Sequence, residues 1–171
     1  MINNENLNLF DILQNPAIGT IALHSFILGY NNVAKHKEGK CNFPSLTHLF
    51  YVLPIVYNPK AINSIKMELY TTLNENKSIT LGLQDRANKM AEQTFDSLNL
   101  GFSKKIFLLN RENYTVEIEP YYMRNILPFI KQNSTFLSDI RRASTRLGNI
   151  FAKKDEKTLQ LVLNIRFWYG F

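Results

Sequence analysis

The side chains best suited to hold a metal or move a proton are few: His24, His36, His48 and Cys41 in a chain of 171 residues. His36 and Cys41 share one polar stretch, and His48 follows close behind. Zinc sites use tight pairs spaced as Cx2–4C or Hx3–5H, because two ligands must reach one ion from a single turn of chain. With one cysteine and no such histidine pair, the spacing favours a polar loop over a metal-dependent site at His36, Cys41 and His48. His24 falls beside the apolar stripe of the first helix, where a general base would need a nucleophile or an orienting group in reach. A hydrogen-bonded, partly buried histidine is the expectation. Glu117 and Glu119 point the same way on one strand and read as the wet face of a hairpin. GxxxxGK[ST], GxGxxG, GxSxG and HExxH do not occur. The chain reads as a non-enzyme, with no cofactor implied.

The other chemistry is cationic. The formal net charge is +6, and acids and bases cancel over residues 1–123, so the excess lies in residues 124–171. Arg141, Arg142 and Arg146 fall on one side of a helix, and Lys153 and Lys154 follow them. Lys104, Lys105 and Arg111 flank a candidate hairpin, where a DNA-binding wing would carry them. Guanidinium forks match phosphate and carboxylate alike. These eight residues are therefore candidate contacts for DNA or for an acidic partner, set against a solvated face that keeps the protein soluble.

These side chains need elements to position them. Asn15-Pro16 is a cap followed by proline, and the apolar spacing after it predicts a helix over 17–34. Residues 35–40 are a loop. Ser45 or Pro44 opens a helix carrying the uncharged run Leu49 to Tyr57, in which Pro54 demands a kink. That run is about half of what a bilayer-spanning helix needs, so it belongs inside protein. Asn58-Pro59 starts a third helix through Ile62 and Ile65, and 71–80 is a polar connector. A long helix follows over 82–103, then a β-hairpin over 105–119 whose second strand alternates apolar and polar. Pro120 and Pro128 bracket a link. An amphipathic helix occupies 135–153, and Asp155 caps a last helix. The tail Phe167-Trp168-Tyr169 with Phe171 reads as a terminal strand docked on the core, or as a contact patch.

Length and composition fit one domain, 1–171, that buries its core without staples. One cysteine forms no internal disulfide, and Met1 to Asn6 lack the basic and apolar regions of a signal peptide. A soluble cytoplasmic protein is expected. The fold class is mainly α (α+β): a helical domain with a winged-helix-like helix–β-hairpin unit.

Three stretches carry a resemblance to a known family: Asn15-Pro16-Ala17-Ile18-Gly19 leading to Phe26-Ile27-Leu28-Gly29-Tyr30; Leu49 to Val56; and Arg146-Leu147-Gly148-Asn149-Ile150-Phe151-Ala152 leading to Leu163-Asn164-Ile165-Arg166. In order and spacing they resemble the middle component of three-component ABC (ABC-3C) systems, the Lamassu-type bacterial defence operons, over residues 10–167. A tryptophan expected in the first helix of such proteins is absent. The resemblance implies a non-enzymatic adaptor that links an SMC/Rad50-like ABC ATPase sensor to an effector, commonly a nuclease, in an antiviral complex, with DNA as a further contact. The residues alone also support a winged-helix DNA-binding transcription regulator.

Overall fold

Asn15 and Pro16 start the first helix as their types require. The Asn15 Oδ1 accepts the Ala17 amide at 2.9 Å, and Pro16, at the first helical position, withholds no donor that the helix could use. This is α1 (Pro16–Ala34). The computed structural model describes residues 14–37, 42–58, 61–62, 65, 80–125 and 135–163. Ala22 to Ile27 are all buried, so α1 is enclosed on every side and is the central helix of the domain. No helix among the described residues is long and apolar enough to cross a membrane.

The uncharged run is buried throughout, as its composition demands, but it is two helices rather than one: α2 (Leu46–Leu49) and α3 (Val52–Val56). Pro54 has no N–H for the Phe50 carbonyl, and its ring crowds that carbonyl. The chain therefore turns at Phe50 and Tyr51, and Pro54 falls in the first turn of α3, where no amide is needed. The Pro54 carbonyl accepts from the Arg86 Nε at 3.2 Å.

The expected helix over 82–103 is likewise divided, into α4 (Leu83–Lys89) and α5 (Ala91–Ser103), with Met90 between them. The backbone bonds Met90 N to Arg86 O and Thr94 N to Met90 O, both 2.9 Å, run through the junction, so it is a bend and not an end. The Thr94 hydroxyl also donates to the Met90 carbonyl at 2.9 Å, a back-bond that tilts the carbonyl and bends helices.

The hairpin forms as β1 (Phe107–Asn110) and β2 (Thr115–Ile118), antiparallel with Phe107 opposite Ile118 and Asn110 opposite Thr115. Asn113 fixes the turn, its Oδ1 accepting both the Thr115 amide and the Thr115 hydroxyl. The far side of β2 bonds Pro44 and Leu46 (Val116 N to Pro44 O 3.0 Å, Leu46 N to Tyr114 O 2.9 Å), which ties the hairpin to the start of α2.

A single turn, α6 (Tyr122–Asn125), precedes α7 (Thr135–Ala152) and α8 (Glu156–Leu163). Asp155 caps α8 through the Thr158 amide at 2.9 Å and the Thr158 hydroxyl at 2.7 Å. Of the third helix from Asn58-Pro59, the described part is Ala61 and Ile62, whose amides donate to the Asn58 carbonyl, and the buried Ile65, whose amide donates to the Ala61 carbonyl at 3.0 Å. The connector over 71–79, Pro128 and the tail from Phe167 to Phe171 lie outside the described residues.

The domain is mainly α with this one small sheet. α7 and α5 both pack on α1. A side chain at Gly29 would strike the backbone of Thr145, and one at Gly148 would strike the backbone of Phe26 and Tyr30. The two helices thus touch backbone to backbone where each lacks a Cβ. Around this crossing Phe26 meets Phe151 edge-on with ring centroids 5.3 Å apart. Gly19 admits Ser97 of α5 in the same way, and the Thr20 hydroxyl donates to the Ser97 carbonyl at 2.8 Å.

Candidate functional site

α7 has two unlike faces. Ile140, Ala143, Ser144, Leu147, Gly148 and Phe151 recur at three and four and are buried. The remaining stripe, Ser138, Arg141, Arg142, Thr145 and Arg146, lines an open groove of about 390 Å³. Its members also stand three or four apart, so their side chains converge on one side of the helix.

The three guanidiniums differ in their partners. The Arg142 Nη2 holds the Asp139 Oδ1 at 2.7 Å in an exposed pair one turn along the helix. Such a pair contributes little to stability, ~0.2–1 kcal/mol. Among the described residues the Arg146 Nη1 reaches the Ile65 carbonyl alone, at 3.5 Å, which is long for a hydrogen bond. Arg141 is half-buried, and among the described residues no carboxylate lies within ion-pair distance of Arg141 or Arg146. The Thr145 hydroxyl donates to the Arg141 carbonyl at 2.9 Å, which leaves its oxygen able to accept a hydrogen bond. The chemistry on offer is anion binding: planar forks beside hydroxyls, able to take carboxylate or phosphate.

His24 lies beneath this face and is built into the packing. Its Nε2 is 3.0 Å from the Tyr122 carbonyl, which makes Nε2 the protonated nitrogen, and Nδ1 is buried without a hydrogen bond among the described residues. Burial, more than the nearby Arg141 charge, lowers its pKa to about 4, against the Tyr122 hydrogen bond that raises it. His24 is therefore neutral at physiological pH. The expected hydrogen-bonded, buried histidine is what the structure contains.

Of the eight cations singled out in the sequence, the structure gathers Arg141, Arg142 and Arg146. Lys153 and Lys154 follow the end of α7, exposed and half-buried respectively. Lys104 and Lys105 are exposed at the end of α5, Lys105 with φ 54°, and Arg111 is exposed in the hairpin turn. These three stand on the α5–hairpin unit and not on the groove. Ser138 and Thr145 are the groove residues that a search for charge misses. Their spacing from Arg141 and Arg142 was the available signal.

No group of three or more potential metal ligands occurs among the described residues. His36 is exposed at the end of α1, while His48 is buried with its ring 5.9 Å from Tyr30 and edge-on to Phe151 at 5.7 Å. Cys41 lies outside the described residues. Glu119 caps the turn after β2, its Oε2 accepting the Tyr121 amide at 2.8 Å, and Glu117 accepts from the Asn110 side chain at 3.4 Å.

Comparison with known families matches residues 3–167 to ABC-three component (ABC-3C) system Middle Component 3. No curated protein matches the chain, and no solved structure does. The stretches that carried the resemblance in sequence include both halves of the α1–α7 crossing: Gly29 on one helix, Gly148 and Phe151 on the other.

Proposed function

Because the chain belongs to the ABC-three component system middle component 3 family, we propose that it is the non-enzymatic adaptor of such a system, joining an SMC/Rad50-like ABC ATPase to an effector nuclease in an antiviral complex of the bacterial cytoplasm. The family match over nearly the whole chain carries this reading. Two features support it. The titratable side chains of the interior serve packing, His24 through Tyr122 and His48 between aromatic rings. Arg141, Arg142 and Arg146 instead line an outward cationic groove, suited to holding another molecule. Co-expression of the chain with the ATPase and effector encoded beside it tests this. The three should elute as one complex, and elution of this chain as a lone monomer would overturn the proposal.

A second reading, a winged-helix transcription regulator, draws on one observation. The hairpin follows α5 directly, and its inner strand is tied to Ser45, which precedes α2, in the helix-and-strand order of a winged-helix unit. In that reading α5 would lie in the DNA groove. Yet α5 exposes Glu92, Asp96 and Asn99, and carboxylates there would face phosphates. Specific duplex binding that weakens steeply with salt would favour this alternative, since phosphate contacts release counterions.

A further inference from the structure

We infer that the α7 groove receives an acidic segment of another protein component, whose carboxylates pair with Arg141 and Arg146. This deepens the adaptor reading and rests on it.

Both arginines can take more than they hold. Arg142 shows what chemistry the groove rim performs, since its fork is already closed on the Asp139 carboxylate at 2.7 Å. Arg146 has one long contact to a carbonyl, and Arg141 is half-buried with no carboxylate near it among the described residues. A guanidinium partly removed from water gains more from a carboxylate than an exposed one does, because fewer waters compete for it. The Ser138 and Thr145 hydroxyls widen the same wall into a surface of donors and acceptors.

Arginine forks serve phosphate equally well, so the choice between partners comes from shape and surroundings. The groove is an open concavity of about 390 Å³ whose lining, among the described residues, comes from one side of α7, a volume that accommodates a few side chains. Duplex DNA presents its phosphates as a regular track, and a protein that binds it sets cations along that track. The other candidate cations, Lys104, Lys105 and Arg111, stand instead on the α5–hairpin unit. That unit also exposes Glu92 and Asp96, and its hairpin exposes Leu108, Leu109 and Tyr114. The exposed leucines of that unit suit a protein partner, and its carboxylates repel a phosphate backbone.

The test reverses charge inside the groove and, as a control, outside it. Arg141→Glu with Arg146→Glu is compared with Lys89→Glu plus Lys157→Glu, which changes net charge equally on exposed positions that are neither groove residues nor candidate contacts. Each full-length variant is co-expressed with the ATPase and effector. Each is also titrated with a labelled oligoglutamate peptide and with a short DNA duplex, and its folding is checked by circular dichroism. The groove variant should stay folded, assemble on the order of 30-fold more weakly or not at all, and lose the peptide. The control should keep both. Intact assembly in the groove variant overturns the inference while leaving the adaptor reading standing. So does a variant that loses the duplex but still assembles, which would make the groove a DNA contact. Equal losses in both variants overturn it as well, since net charge alone would then explain them. If the wild-type chain assembles with neither component yet binds the peptide through the groove, the adaptor reading fails on its own. If it binds neither components nor peptide, both fail.

Discussion

The two faces of α7 obey opposite rules. Toward α1 the helix is small and uncharged at its centre, where Gly148 lets its backbone touch Phe26 and Tyr30 and where Phe151 meets Phe26. Toward solvent it is long-chained and cationic, with Arg141, Arg142 and Arg146 around an open groove. The first face is packed against α1 within the chain. On the second, only Arg142 has a carboxylate among the described residues. In this domain Gly148 and Phe151, from a stretch that carries the family resemblance, build the inner face, while Arg146 of the same stretch stands with Arg141 and Arg142 on the outer one. A motif match can thus name a family through its packing and leave the working surface to be found by charge and geometry.

The comparison breaks most visibly at Phe151. Its ring touches Phe26, His48 and Tyr51, so Phe151→Ala should cost about 3–5 kcal/mol in urea unfolding, as aromatic truncations in cores do. A loss under 1 kcal/mol would mean that the crossing is not where the domain is held.

Acid attacks the same face next. His24 has a pKa of about 4 when folded against about 6.5 when unfolded, so the unfolded chain binds the proton more readily. Its contribution is fully present above pH ~6.5 and lost as pH falls toward ~4, a change of about 3 kcal/mol at ~1.4 per pKa unit. Unfolding measured across that window should show the slope, and His24→Gln should flatten it.

Gly148→Ala sharpens the contrast by sign. In an exposed helix interior the change stabilises by about 1 kcal/mol. Against the Phe26 and Tyr30 backbone it should destabilise by about 2 kcal/mol, because backbone cannot swing aside as a side chain does. A higher melting temperature for Gly148→Ala would refute the close crossing. At the small end, Asn15→Ala removes one cap bond and should cost about 1 kcal/mol, read by the same melts.

Much of the fold was legible because its signals are local. The Asn15-Pro16 start, the hairpin with its Asn113 turn, the stripe of α7 and the Asp155 cap each depend on neighbours within a turn of chain. What the sequence hid depends on distance. The long helices expected over 45–57 and 82–103 divide at Tyr51 and Met90, the first because Pro54 cannot bond back to Phe50 and the second beside a Thr94 back-bond. Gly29 and Gly148 look in sequence like weak helix positions, and only the α1–α7 crossing gives them a purpose. His48 reads as a neighbour of the His36–Cys41 loop but packs between Tyr30 and Phe151. In the groove the arginines were visible as charge, whereas Ser138 and Thr145 required the helix phase to be joined to them.

Folding and the proposed partner contact are assigned to opposite faces of one helix. Equilibrium urea unfolding of Arg141→Glu with Arg146→Glu, performed on the protein whose assembly has been measured, tests that assignment most directly. Substitutions on the surface usually shift stability by about 0.5 kcal/mol or less, so the midpoint should stay close to the wild type while assembly is lost. A midpoint that falls together with assembly, as far as that of Gly148→Ala, would contradict the account.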